Sequence, residues 1–126
     1  MNLTEGNVIE RALLIYVDVD SIQNKEKLEQ GYEEFCSLVE SSGLAIKQST
    51  KFKQNVPTTS TFITSGRLEK IKELSIANEI DLVIFNHQLS ASQNRNLEKF
   101  LNKRVIDKTE LILDIFASRA SSHIGK

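Results

Sequence analysis

Four runs of apolar residues alternate along the chain with longer segments whose apolar positions recur every three or four residues. Residues 12–17 and 82–85 are almost continuously apolar, which is typical of strands buried on both faces of a sheet. The runs at 44–46 and 105–106 are shorter and flanked by polar residues, which favours edge positions. The sequence therefore predicts four strands.

Four helices are predicted between and after these strands. The first carries one apolar stripe, followed by Gly43 as its expected C-terminal cap: Leu28, Tyr32, Phe35, Cys36 and Val39. The second is marked by Leu68, Ile71, Leu74 and Ala77. The third, from about 90 to 101, opens with Ser90 and Gln93 at capping-box spacing. The last starts near Thr109 and is expected to bury Leu111, Ile112, Ile115 and Phe116.

Strict alternation of strand and helix predicts an α/β fold, because parallel strands need crossover connections and helices supply them. We expect a single three-layer domain with a four-stranded, mostly parallel sheet and helices on both faces. A strand order of 2-1-3-4 would reverse the chain direction between strands 1 and 3. Ligands tend to bind beyond the carboxyl ends of the strands at such a switch point.

Composition narrows the class of protein. The 126 residues (14.2 kDa) are 40% hydrophobic and 26% charged, which fits one globular domain. Cys36 is the only cysteine, which excludes an intramolecular disulfide and a cysteine-cluster metal site. No apolar run approaches the ~18 residues that cross a bilayer, and the N-terminus lacks a signal-peptide pattern. We therefore predict a soluble, cytoplasmic domain without a membrane span.

Charge is divided unevenly between the two ends of the chain. The net charge of −1 excludes a globally basic nucleic-acid binder. Residues 1–50 hold four basic and nine acidic side chains, whereas residues 51–126 hold twelve basic and eight acidic ones. This split indicates a polar molecule with one face suited to an anionic partner.

A possible phosphate site precedes the second helix at Thr64, Ser65, Gly66 and Arg67. A Ser-Gly turn at a helix start leaves backbone amides free for an anion that an adjacent arginine can reach. The alternative is an ordinary N-cap in which the Thr64 or Ser65 side chain satisfies those amides. The segment before it, 50–61, is long for a connection in such a fold, and long loops are usually functional or mobile.

A basic stripe is predicted on the third helix, where Arg95, Lys99 and Lys103 are spaced four residues apart. Like charges at this spacing destabilise a helix slightly, so the stripe is a candidate for phosphate contacts. The alternative is a solvated face partly neutralised by Glu98 and Asp107.

The sequence contains no complete catalytic motif of the kinds considered next. The chain contains no G-x-x-x-x-G-K-[ST] P-loop, so it cannot hydrolyse GTP in that way. Asp18 and Asp20 could hold Mg²⁺ in an aspartate phosphotransferase, but Ile22 occupies the position where such a site needs a hydroxyl residue. His87 and His123 have no cysteine partner at ligand spacing. We predict no catalytic residue and no metal site.

Four segments carry a family resemblance: FITSGRLEKI (62–71), LVIFN (82–86), LSASQNRNLE (89–98) and VIDKTELILDIFASRA (105–120). Together they resemble the N-terminal domain of the HflX family of ribosome-associated GTPases. Two departures concern the turn before the second helix. Thr64 replaces the first glycine of a Gly-x-Gly turn, which restricts the approach of a phosphate to the backbone, and Arg67 stands for lysine and keeps the charge.

The resemblance implies a larger parent protein, with residues 1–120 as its N-terminal α/β domain and 121–126 as the start of a truncated helical segment. GTP and Mg²⁺ would serve the missing GTPase domain, and this fragment would need no cofactor. The family binds the large ribosomal subunit and splits stalled ribosomes, so we expect rRNA to be contacted by Lys51, Lys53, Arg67, Arg95, Lys99 and Lys103. The family is also linked to nucleotide binding outside the GTPase domain. The alternative is therefore ATP or GTP at Thr64, Ser65, Gly66 and Arg67.

Overall fold

Strand and helix alternate from the first described element to the last. The computed structural model describes residues 9–19, 25–54 and 56–124. The strands are β1 (Arg11–Asp18), β2 (Ala45–Lys53), β3 (Leu82–Phe85) and β4 (Arg104–Asp107). The helices are α1 (Lys25–Ser41), α2 (Ser65–Ala77), α3 (Ala91–Leu101) and α4 (Lys108–Ile124).

The four strands form one sheet in the order β2-β1-β3-β4, and all three pairings are parallel. This confirms the predicted α/β class and the predicted order. The two almost continuously apolar runs form the central strands: β3 is buried throughout and β1 at every position after Arg11. The connection from β2 to β3 crosses β1, so the chain reverses direction between β1 and β3, as expected for a switch point.

Each face of the sheet is covered by a pair of helices. One core contains Leu13, Ile15 and Val17 of β1 together with side chains of α2 and α3, which we call the α2/α3 layer. The alternate residues Ala12, Leu14 and Tyr16 point to the other core, with side chains of α1 and α4, the α1/α4 layer. The period of two along a strand thus divides β1 between two separate cores, which makes the domain three-layered.

Strand β2 is longer than predicted, because it extends to Lys53 rather than ending near Ile46. Ala12 pairs with Ile46 but Leu13 pairs with Gln48, so one extra residue is inserted at Lys47. The insertion exchanges the faces of β2: Ile46 packs in the α1/α4 layer and Phe52 in the α2/α3 layer. The prediction that Lys51 and Lys53 lie in a loop is therefore wrong.

The helix ends follow local signals. Gly43, after α1, has a φ of 89°, as the predicted cap requires. The predicted capping box is present, with the Ser90 hydroxyl accepting from the Gln93 N–H and the Gln93 side chain accepting from the Ser90 N–H. Asn102 ends α3 in the left-handed conformation, with a φ of 57°. Lys103 consequently lies beyond the helix, so the prediction of a three-residue helical stripe is wrong at that position.

Helix α4 differs from its prediction in which side chains it buries. Leu111 is buried and Ile115 packs against the same core, but Phe116 is 61% exposed and Ile112 only half-buried. Apolar residues occur on more than one side of this helix, so periodicity alone did not identify the side that faces the sheet. Within the described ranges, no helix has the length and hydropathy needed to cross a membrane.

Candidate nucleic-acid interface

Residues 58–62, which precede α2, form a turn that contacts α3. Thr58 and Phe62 form an antiparallel bridge, with N–H···O distances of 3.1 and 3.2 Å. From α3, the Gln93 carboxamide donates to the Thr58 carbonyl and the Asn96 carboxamide to the Ser60 carbonyl, both at 2.9 Å. The segment is thereby fixed over the edge of the sheet where the strands end.

The crevice at the switch point is filled by protein side chains. Asn86, just after β3, accepts from the Val17 N–H at 2.8 Å and donates to the Val17 carbonyl at 3.1 Å, so its carboxamide extends the ladder beside β1. His87 Nε2 lies 2.9 Å from the same carbonyl, and its ring packs on Phe62 with centroids 5.6 Å apart. The position at which such folds usually bind ligands is occupied by these contacts.

The N-terminus of α2 is the part of the predicted phosphate site that remains open. Thr64 is the N-cap residue, but its side chain makes no capping hydrogen bond, so the predicted alternative of a side-chain cap is wrong for Thr64. The first turn borders an open groove of about 450 Å³, lined by Thr50, Phe52, Thr64, Gly66, Arg67, Lys70 and Ile71. A Cβ on Gly66 would meet no atom within 4 Å. The groove therefore combines backbone amides with two basic side chains.

Two basic side chains of α2 lie against aromatic rings. The Arg67 guanidinium carbon is 4.2 Å from the centroid of Phe52, and Lys72 Nζ is 4.8 Å from the centroid of Phe100. A ring beneath a guanidinium fixes its plane and leaves its edge N–H groups available to an anion. This arrangement suits phosphate or base contacts.

Arg95 and Lys99 are exposed on α3, and neither they nor Arg67 form an ion pair within the part of the chain that the structure describes. The carboxylates expected to neutralise this stripe are engaged elsewhere. Glu98 accepts from the Val105 N–H at 3.0 Å. Asp107 is buried and accepts from the N–H groups of Leu89 and Glu110. The helix therefore presents its positive charges to solvent.

The lysines of β2 are in a different environment. Lys51 Nζ lies 3.2 Å from the Glu29 carboxylate and 4.5 Å from the centroid of Tyr32, both on α1. Lys51 therefore belongs to the α1/α4 layer, away from Arg67. Lys53 is exposed at the end of the strand, and Lys103 is half-buried after α3. The predicted set is thus divided, and Arg67, Arg95 and Lys99 are the members whose helices share one layer.

The two layers carry opposite charge. Helix α1 has five glutamates and two lysines. Helices α2 and α3 together have five basic and three acidic residues. Sequence reasoning missed Lys70, Lys72 and the aromatic partners Phe52 and Phe100. The positions of Arg67 and Lys70, three apart near a helix start, were a usable signal, whereas the aromatic partners depend on tertiary packing.

The remaining chemical candidates are the aspartates at the end of β1 and Cys36 of α1. Asp18 is the last residue of β1 and 4% exposed, while Asp20 lies outside the described residues. In the described ranges no three His, Cys, Asp or Glu side chains are placed to hold a metal ion. Burial raises the pKa of the Cys36 thiol, which disfavours the reactive thiolate.

The fold of this chain is similar to that of several solved structures. A GTP-binding protein from the archaeon Sulfolobus solfataricus in complex with GDP superposes with a TM-score of 0.63 and 25% identity, over 86% of this chain and 30% of that chain. The catalytic domain of an IS607-like serine recombinase shares the fold alone, with a TM-score of 0.53 and 17% identity. The class is a doubly wound α/β domain, which also occurs in that archaeal GTP-binding protein.

Sequence comparisons then give the family. Residues 29–117 match the model of the GTP-binding GTPase N-terminal family, and the chain belongs to that family. It is 39% identical to the GTPase HflX of Escherichia coli K12 over 93% of its length, and 40% identical to that of Alkalihalophilus pseudofirmus over 94%. It spans 26% and 27% of those two proteins. The resemblance to the HflX N-terminal domain is confirmed.

Proposed function

We propose that this domain docks an HflX-type GTPase on the rRNA of the large ribosomal subunit, in the cytoplasm, as part of a protein that splits stalled ribosomes. In this proposal the parent protein supplies a helical segment and the GTPase domain, which binds GTP and Mg²⁺, and residues 1–120 act without catalysis. The observation that carries the proposal is the basic α2/α3 layer, whose Arg67, Arg95 and Lys99 form no ion pair within the described ranges.

RNA is the partner that this surface fits best. Phosphate contacts need exposed cations whose charge is not cancelled internally, and Glu98 and Asp107 bind backbone amides instead. Guanidinium planes held against rings, as Arg67 is against Phe52, also suit stacking on unpaired bases. Lys53 lies at the end of β2, on the same edge of the sheet as the start of α2, and is proposed as a peripheral contact. Lys103 is proposed as a second peripheral contact. Lys51 is the weakest candidate, because it forms an ion pair with Glu29.

Equilibrium binding to purified large subunits over a salt series tests the proposal, with both the chain and its parent. Charge reversal by Arg95→Glu with Lys99→Glu is expected to weaken binding by about tenfold or more, and to make the slope of log K against log salt shallower by about two. Lys25→Glu with Lys27→Glu, in the exposed first turn of α1, changes the net charge by the same amount and is the matched control. Equal losses from both layers, or none from α3, would contradict docking through this surface.

A second candidate function is supported by the groove beside α2. Its uncapped amides, Arg67 and Lys70 would receive the phosphates of ATP or GTP, with Thr64, Ser65 and Gly66 forming the turn. This predicts saturable nucleotide binding by the chain alone, lost in Gly66→Leu and kept in Gly66→Ala, since a methyl group finds open space there. Adding ATP to the subunit titration separates the two: docking through rRNA alone is unaffected by ATP.

A further inference from the structure

Helix α4 is apolar on two sides. On its inner side Leu111 is 2% exposed, and Ile115 packs against the same core. On its outer side Leu113 and Phe116 are each 61% exposed. Ile112 lies four residues before Phe116, and Ala117 lies four residues after Leu113. We therefore call Ile112, Leu113, Phe116 and Ala117 the outer face of α4. A helix that is apolar on opposite sides is normally buried on both.

The outer face of α4 differs from the other exposed apolar side chains. Ile9, Val56 and Ile76 are also more than half exposed, but they lie in three separate parts of the chain. Single exposed apolar residues are ordinary on a protein surface, whereas neighbouring ones on one helix form a patch that indicates an interaction site. Arg104, on the flank of this face, pairs with Glu110 and Asp114 at 3.7 and 3.6 Å, so its charge is not free for RNA.

The path of the polypeptide indicates what covers this patch. The family match ends at residue 117, next to Phe116, whereas α4 runs on to Ile124. In the two HflX relatives compared above, about three quarters of the protein lies outside the matched region. In a parent protein of that kind, the polypeptide continues from this domain to the following segment through α4. A segment tethered so close is present at an effective concentration in the millimolar range, which favours it over any free partner.

We infer that the outer face of α4 is the surface on which the segment of the parent polypeptide directly following this domain packs through apolar side chains. The contact fixes the domain relative to the rest of the parent and uses the layer opposite to the basic one. It is therefore independent of rRNA docking and stands whether or not that proposal holds.

Cysteine labelling in the full parent protein tests the inference. Ala117→Cys places a thiol on the outer face with little change in size, and Ala77→Cys at the exposed end of α2 is the matched control. Both are made in a parent whose other accessible cysteines are replaced, and the reagent is a small maleimide. We expect labelling at 117 to be slower than at 77 by about tenfold or more, because the packed segment must first open. Adding Leu113→Ser and Phe116→Ser should restore fast labelling at 117.

Equal rates at 117 and 77 in the unaltered parent would overturn the inference, since the face would then be uncovered. Sedimentation at the labelling concentration distinguishes a second copy: protection that occurs only in a dimer and disappears on dilution would also overturn it. Protection in a monomeric parent that Leu113→Ser and Phe116→Ser abolish supports it. Protection that survives this pair would place the contact elsewhere and contradict it.

Discussion

The α1/α4 and α2/α3 layers cover the same sheet but use their polar residues differently. Between α1 and β2, polar groups bind each other: Tyr32 shares a short hydrogen bond with Ser49, and Lys51 pairs with Glu29. In the α2/α3 layer, Arg67 and Lys72 instead rest on aromatic rings. A cation on a ring is positioned without being neutralised, so Arg67 and Lys72 keep a positive charge that a partner can use.

In each layer, the residues that stabilise the core are different from the charged residues that a partner could contact. Both layers have large, fully buried apolar residues, such as Phe35 on α1 and Leu97 on α3. Exposed charge is therefore available for binding without weakening either core. Substitutions that remove single contacts in the two layers should therefore lower the free energy of unfolding to different extents.

The largest effect is expected at Asp107, which joins the two layers. Its buried carboxylate accepts from the Leu89 N–H before α3 at 2.8 Å and from the Glu110 N–H of α4 at 2.9 Å. Asp107→Ala should lower the free energy of unfolding by about 3 kcal/mol, because two charge-assisted bonds are lost and two amides are left without partners. Urea denaturation of the isolated chain measures this.

Two variants serve as controls for Asp107. Asp107→Asn keeps one acceptor oxygen and should cost roughly half as much. Asp81→Ala removes an exposed carboxylate that accepts from the Arg11 N–H at 3.0 Å, and should cost about 1 kcal/mol or less. Equal losses for Asp107→Ala and Asp81→Ala would show that Asp107 does not link the layers.

Two glycines, one in each layer, are expected to respond with opposite sign to the same substitution. A Cβ on Gly31 of α1 would lie 2.3 Å from the hydroxyl oxygen of Tyr16, a side chain held between Tyr32 and Phe35. Gly31→Ala should therefore destabilise by about 1–2 kcal/mol despite the better helix propensity of alanine. Gly66→Ala on α2 meets open space and should stabilise by about 0.5 kcal/mol.

Removing the Tyr16 hydroxyl sharpens this test. In a Tyr16→Phe background the nearest remaining atom is the ring carbon Cζ, 3.4 Å from the added Cβ, so Gly31→Ala should lose most of its cost. A double-mutant cycle from thermal or urea unfolding gives the coupling energy. Additive effects of the two substitutions would refute the proposed close contact between α1 and β1.

Structural features that depend on residues close together in the sequence were predictable, whereas features that depend on tertiary contacts were not. The capping box at Ser90 and Gln93 is local, and so is the apolar character of β1 and β3. The length of β2 was underestimated because the extra residue at Lys47 breaks the alternation of its inward-facing and outward-facing positions. As a result, Ile46 and Phe52 face different cores.

The candidate site shows the same division. Arg67, Arg95 and Lys99 were identified because charge and spacing are visible in the sequence. Whether these cations form ion pairs was not visible in the sequence, because Glu98 could equally bind a neighbouring cation or, as in the structure, the Val105 amide. Phe116 illustrates the limit for helices: an apolar position predicts burial, but the partner that buries it can lie outside the domain.

The smallest effect concerns the ion pairs at the start of α4. Burial raises the pKa of Glu110 above its ordinary value, and Asp114 adds to this while Arg104 opposes it. Since the folded state holds this proton more tightly than the unfolded state, the group favours folding most below its unfolded pKa, and that contribution is lost as the pH rises through the folded pKa. Glu110→Gln removes this dependence.

Relative to the unaltered chain, Glu110→Gln should therefore gain stability between about pH 4 and pH 7, by no more than about 0.5 kcal/mol because the side chain is half exposed. Arg104 retains its pairing with Asp114 in this variant. Urea unfolding of both proteins at the two pH values measures the difference. If Glu110→Gln instead loses stability relative to the unaltered chain on going to neutral pH, attraction to Arg104 outweighs burial at Glu110, and this ion pair stabilises the α1/α4 layer.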